Sequence, residues 1–133
     1  MTKQSPRVLR RVGAVLAGLI FVIVITTGTD LLLHGTGIFP PIGQAMADSL
    51  FVLALAYRTI YGIAGGYITA RLAPDRPITH ALVLGLIGFV LSVAGTLATW
   101  NRGPEFGPKW YAIALIVIAI PSAWIGGKLA QRK

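Results

Sequence analysis

Two ionisable residues stand inside long apolar runs of this chain. Asp30 lies within Ile-Thr-Thr-Gly-Thr-Asp-Leu-Leu-Leu-His, and Arg58 within Leu-Ala-Tyr-Arg-Thr-Ile-Tyr. A charge in such a setting is costly unless it is paired or reaches water, so each demands a partner. Arg58 is about 13 residues, roughly 20 Å of helix, from the next basic residue, Arg71. At about 100° per residue, Gly62, Gly65 and Thr69 fall on the helical face that carries Arg58. Gly62, Gly66 and Ala70 add a row of small residues at every fourth position, where a second helix can approach closely.

Asp30 has Thr26 and His34 one helical turn to either side on its own face. The Arg58 side chain leans toward the start of its helix, and its reach of about 6–7 Å closes most of the gap to Asp30. The spacing predicts an Asp30–Arg58 ion pair, with Thr26, His34, Tyr57 and Tyr61 available as further hydrogen-bond partners. Asp48 is the other acid on the second run, but roughly 15 Å of helix separates it from Arg58. Two readings of the pair stay open. It fixes helix register and orientation, which is the preferred reading, or it lines a path for a solute or ion.

Other chemistries are excluded or thinly supported. The chain has 0 cysteines, which removes disulfides, thiolate metal sites, thiol nucleophiles and haem attachment. His34 and His80 fall at opposite ends of the apolar runs and cannot share a metal, so no metal site and no cofactor are expected. Glu105 has no companion carboxylate or nucleophile, and no acid/base pair appears elsewhere, so an enzyme is not expected.

The elements that position these residues follow from composition. Of 133 residues, 55% are hydrophobic and 12% charged, against about 25% charged in a soluble domain. Four apolar segments cover residues 12–33, 47–70, 81–100 and 110–127. Each is long enough at 1.5 Å per residue for a hydrocarbon layer about 30 Å thick, and backbone in lipid must satisfy its own hydrogen bonds, so all four are expected to be helices. Breakers separate them: Gly35, Gly37, Pro40, Pro41 and Gly43, then Pro74 and Pro77, then Gly103, Pro104, Gly107 and Pro108. The expected fold is all-α, a single domain over residues 1–133 forming an up-and-down transmembrane four-helix bundle.

The formal charge of +8 is distributed to one side. Lys3, Arg7, Arg10 and Arg11 precede the first segment, Arg71 and Arg76 lie between the second and third, and Lys128, Arg132 and Lys133 follow the fourth. The opposite side holds only Arg102 and Lys109. The positive-inside bias therefore puts both termini in the cytoplasm, with Trp100, Trp110 and Tyr111 in an outer aromatic belt and Trp124 near the inner one. Basic residues that flank apolar runs suit anionic lipid, so the bilayer and not nucleic acid is the expected partner. A cleaved signal peptide is the alternative for the first segment, but about 22 apolar residues is long for that role.

Small residues recur in the third and fourth segments. Gly85, Gly88, Ser92, Gly95 and Thr96 form a stripe expected to pack closely against a neighbouring helix. Pro121 is expected to bend the fourth helix, with Ser122 meeting the freed backbone groups. Gly65-Gly66 before Arg71-Leu72 echoes Gly126-Gly127 before Lys128-Leu129, and Gly28-Thr29 echoes Gly95-Thr96. A duplicated two-helix hairpin gives such echoes, and so does chance among glycine-rich membrane helices. In the third loop, Arg102, Glu105 and Lys109 are placed to form exposed ion pairs of small value.

Three stretches carry a family resemblance. They are Gly28 to His34 with Gly37-Ile38-Phe39-Pro40-Pro41, then Ala56-Tyr57-Arg58 with Gly65 to Pro74, then Ala98 to Tyr111. Together they resemble a group of short bacterial four-helix inner-membrane proteins with no assigned activity. The resemblance implies the four-helix architecture and a bacterial inner membrane, and implies no substrate or cofactor. The chain is not similar to small multidrug exporters, which need a glutamate in the middle of the first helix. The expected role is that of a small multi-pass protein, structural or binding a partner such as a second copy or another membrane protein. The alternative is an oligomeric transporter or channel for a small, anionic solute attracted by Arg58.

Overall fold

A computed structural model describes residues 5–40, 46–102 and 108–131. They form four helices, α1 (Ser5–Gly35), α2 (Asp48–Leu72), α3 (Pro77–Thr99) and α4 (Lys109–Gln131), with no strand among the described residues. All four are long and apolar enough to cross a membrane. Pro41, Gly43, Gly103, Pro104, Glu105 and Gly107, and the basic residues Lys3, Arg132 and Lys133, lie outside the described residues.

The helices outrun the apolar segments at one end only. At the end that gathers the basic residues, α1 begins at Ser5, α3 at Pro77, and α2 and α4 continue to Leu72 and Gln131. At the opposite end the helix limits fall within about two residues of the apolar ones. Arg and Lys end an apolar run without ending a helix, because both are good helix formers. Gly and Pro end both. α1 stops at Gly35, and Gly37, in the left-handed region at φ 82°, turns the chain so that Phe39 reaches the core. Pro74 and Pro77 bracket the sharp α2–α3 connection, where Arg76 takes a left-handed φ of 44°.

α2 is the centre of the bundle: it packs on α4 most extensively, then on α1, and also touches α3. α4 lies between α2 and α3, and α1 meets α3 only sparingly and α4 hardly at all. The helices therefore follow one another around a ring as α1, α2, α4, α3, with a weak α1–α3 side. α2 and α4 run parallel. Phe51 stacks on Tyr111 with centroids 4.9 Å apart, Gly62 faces Ser122, and Gly66 faces Ala123 and Gly126. A constant offset thus sets Gly66 beside Gly126, while Gly65 turns to α1 and Gly127 to α3.

At the basic end the contacts are backbone to backbone. A Cβ on Gly66 would stand 2.8 Å from Ala123 Cα, and one on Gly126 would stand 2.6 Å from the Tyr67 amide nitrogen. Gly18 of α1 and Gly65 of α2 form a second such crossing, where a Cβ on Gly18 would collide with Thr69 Oγ1 and the Gly65 carbonyl. Only glycine allows helices this close. Thr69, fully buried, donates across the α1–α2 crossing to the Ala14 carbonyl at 3.0 Å.

The α3 stripe packs over only part of its expected length. A Cβ on Gly85 would sit 3.0 Å from Ala123 Cβ and 3.1 Å from Ile120 Cα, and one on Gly88 would make an ordinary 3.8 Å contact with Ala119. Gly95 has no described atom within 4 Å of that position, and neither has Gly28. Close packing was expected along the whole stripe and is absent at Gly95, in keeping with the sparse packing of α1 on α3. α4 continues unbroken through Pro121, and Ser122 Oγ donates to the Ile118 carbonyl at 2.6 Å in the turn that Pro121 disturbs.

Candidate functional site

The end opposite the basic one is held by side chains. Phe39, Phe51, Ala54, Tyr57 and Tyr111 form its buried core, with Leu33, Leu55 and Leu115 packed against it. Against this core lie the polar residues of α1 and α2. Asp30 Oδ2 accepts from Arg58 Nη2 at 2.6 Å, and the Tyr57 hydroxyl donates to Oδ1. Asp30 thus has both oxygens engaged by consecutive residues of α2. Its charge is balanced by one guanidinium, so the cluster is electrically neutral as a unit. The side chains of Arg58 and Asp30 keep 32% and 29% of their surface accessible from outside the four helices, so neither is sealed in the core.

The other expected members of the cluster go elsewhere. Tyr61 lies one turn along α2 from Tyr57 and bonds Thr29 Oγ1 at 2.9 Å, not the ion pair. Thr29 gives its own proton to the Ile25 carbonyl at 2.7 Å, so Tyr61 is the donor. His34 turns away from Asp30: its Nδ1 lies 2.7 Å from the Pro40 carbonyl, and its ring meets Phe39 edge-on at 5.2 Å. It serves the loop after α1. Thr26 touches neither Asp30 nor Arg58 by hydrogen bond, and its hydroxyl is buried with no partner among the described residues.

Below this cluster the four helices enclose a cavity of about 340 Å³. Apolar side chains dominate its wall, among them Leu19, Val22, Leu84, Leu115 and Ile118. Thr26 and Thr27 of α1, Arg58 of α2, Ser92 of α3 and Ser122 of α4 add polar groups. Gly62, Gly85 and Gly88 lie on its wall too, which makes room where larger residues would fill it. Sequence periodicity gave no signal for this space. It arises because α3 diverges from α1, a tertiary property that one helical face does not record.

A second ion pair escaped the sequence reading. Arg11 Nη2 bonds Asp75 Oδ2 at 2.6 Å, and Arg7 Nε approaches the same oxygen at 4.0 Å. The Arg11 hydrogen bond holds the Asp75 carboxyl below the usual carboxylate range; partial burial opposes it, and the charges of Arg11, Arg7 and His80 reinforce it. The available signal was one acid, in Pro74-Asp75-Arg76-Pro77, among otherwise basic flanks. This bond ties the start of α1 to the α2–α3 connection, so both lie at the same end of the bundle.

The expected Arg102–Glu105–Lys109 pairing involves a residue outside the described ones. Lys109 itself lies over the Trp100 ring at 4.5 Å. Compared with known proteins, the chain matches no family model, no curated protein and no solved structure.

Proposed function

We propose that this chain is an integral membrane protein that crosses a bacterial inner membrane four times with both termini in the cytoplasm, and that it acts by binding, not by catalysis. Support for insertion comes from the outside of the bundle. Leu16, Ile20, Val24, Leu32, Leu86, Val90, Leu97 and Val117 are exposed on it, an apolar surface far beyond what water tolerates. Support for the orientation comes from charge: Arg7, Arg10, Arg11, Arg71, Arg76 and Lys128 gather at one end, and the described residues of the other end hold Arg102 and Lys109. The bacterial setting rests on the sequence resemblance.

The cavity carries the binding role. A pocket of about 340 Å³ with apolar walls and a few polar groups falls in the range of small-molecule sites, roughly 300–1,000 Å³. Asp30 and Tyr57 act structurally beside it, tying α1 to α2 together with Arg58, which also lines the cavity. What favours binding over conduction of an anion is that the charge of Arg58 is already spent on Asp30.

The native chain has no thiol, so single cysteines report topology directly. Asn101→Cys should react with a membrane-impermeant maleimide in intact spheroplasts, and Thr79→Cys only after permeabilisation. The reverse pattern overturns the orientation. Release of the protein from membranes by alkaline carbonate overturns insertion.

A further inference from the structure

Five helical hydroxyls of this protein bond the carbonyl one turn back, and the buried Thr26 does not. Thr29, Thr59, Thr96, Thr99 and Ser122 each donate to the carbonyl four residues earlier, at 2.6–2.8 Å. Thr69 donates to α1 instead. Thr26 does neither: it is 9% exposed, it lines the cavity, and its Oγ1 has no partner among the described residues. A buried hydroxyl left without a bond is destabilising, and native structures rarely keep one without cause.

Arg58 presents a second such atom on the same cavity. Its Nη2 serves Asp30, while its Nε–H is buried and has no acceptor among the described residues. Thr26 of α1 and Arg58 of α2, each with one unsatisfied polar atom, thus line a space otherwise walled by Leu19, Val22, Leu84 and Ile118. Arg58 Nε can only donate, and the Thr26 hydroxyl can donate to an oxygen held beside it. What is missing from the pair is an acceptor.

That acceptor should carry no charge. Asp30 already neutralises Arg58, so a further carboxylate or phosphate would enter a low-dielectric space without a counter-charge. We propose, resting on the binding role above, that the cavity takes an uncharged, mainly apolar molecule bearing a carbonyl-type oxygen, such as a quinone or an aromatic ketone. The oxygen sits at the Arg58–Thr26 side and the hydrocarbon fills the rest. Entry is lateral, from the lipid. The exposed cavity residues Ile23, Thr27 and Leu91 belong to α1 and α3, the pair of neighbours that pack least.

Two probes of one shape separate the claims: 2-methyl-1,4-naphthoquinone and 2-methylnaphthalene, which lacks the oxygens. Binding is read by equilibrium dialysis of the full chain in lipid nanodiscs, with protein-free discs subtracting partition into lipid. The absence of cysteine prevents thiol adducts with the quinone. The quinone should bind more tightly than the hydrocarbon. Thr26→Val should weaken the quinone about fivefold, the worth of one hydrogen bond, and leave the hydrocarbon within about twofold. Arg58→Lys, which keeps a cation opposite Asp30 but loses the Nε donor, should weaken the quinone similarly. Ser92→Leu, which fills the cavity, should abolish both. Equal binding of the two probes, or quinone binding indifferent to both Thr26→Val and Arg58→Lys, overturns the acceptor assignment and leaves the binding role standing. No binding of either probe above protein-free discs overturns both.

Discussion

The two ends of this bundle are held by different means. At the basic end helices touch through their backbones: Gly66 against Ala123 and Gly126, and Gly18 against Gly65. At the other end α1 and α2 are joined by the side chains of Asp30, Arg58, Tyr57, Tyr61 and Thr29. Glycine contacts leave no room between helices, whereas long polar side chains act as struts that fix a distance. The difference explains where the cavity is. It opens where α3 leaves the glycine-packed region and no strut ties it to α1. For a chain inserted in lipid as proposed, burying apolar surface does not drive helices together, and packing by small residues and polar bonds are the two means of association available.

Breaking each end in turn should show this division. The largest loss is expected from Gly66→Leu or Gly126→Leu, since backbone atoms of the neighbouring helix cannot move aside. Overpacking typically costs about 1–3 kcal/mol, and both sites should reach or exceed the upper figure in detergent-titration unfolding. Gly95→Leu, by the same reading, should change stability by less than about 0.5 kcal/mol, because nothing described lies within 4 Å of it. Similar losses at Gly95 and Gly66 would mean that the glycines act through helix propensity and not through contact.

The strut end should respond less and in a different pattern. Arg58→Met leaves Asp30 with an uncompensated charge, at an expected cost of about 2 kcal/mol, below the 3–5 of fully buried pairs because both groups are partly accessible. Arg58→Met with Asp30→Leu should recover most of that. A double variant as unstable as the single one would show that the pair contributes net stability and not merely register. Thr26→Val goes the other way. With no bond to lose in the empty cavity, removal of its hydroxyl should stabilise the protein by about 1 kcal/mol.

How much of this was legible from residues alone depends on the distance over which the signal acts. The helices were legible because length and apolarity are local. Juxtaposition of Asp30 with Arg58 was legible because two opposite charges inside apolar runs have few partners to choose from, and α1 and α2 are consecutive helices. Tyr57 and Tyr61 are both within reach of α1, yet the sequence does not say that one takes Asp30 and the other Thr29. That choice depends on a fraction of a turn. His34 was drawn toward Asp30 by helical spacing, but the left-handed turn at Gly37 brings the Pro40 carbonyl to it first. The cavity was invisible, because it is set by how far α3 diverges. Asp75 is inconspicuous among basic neighbours, although its isolation there is itself the clue.

Asp75 gives the smallest prediction and a clean sign. Its carboxyl is held below the usual range by Arg11, which donates to it at 2.6 Å, with Arg7 and His80 adding positive field. A group whose folded pKa is depressed stabilises the protein at pH values above its unfolded pKa, near 3.9 for Asp, and loses that contribution as pH falls through the folded value. The wild type should therefore melt slightly above Asp75→Asn at pH 6 to 7, and the gap should close as pH drops below about 4. High salt should narrow the gap at neutral pH as well, since the pair is open to solvent. Comparison with Asp75→Asn cancels the other titrating groups, so a gap that stays constant from pH 7 to 3 would show that Asp75 acts through loop geometry beside the strained Arg76, not through its charge.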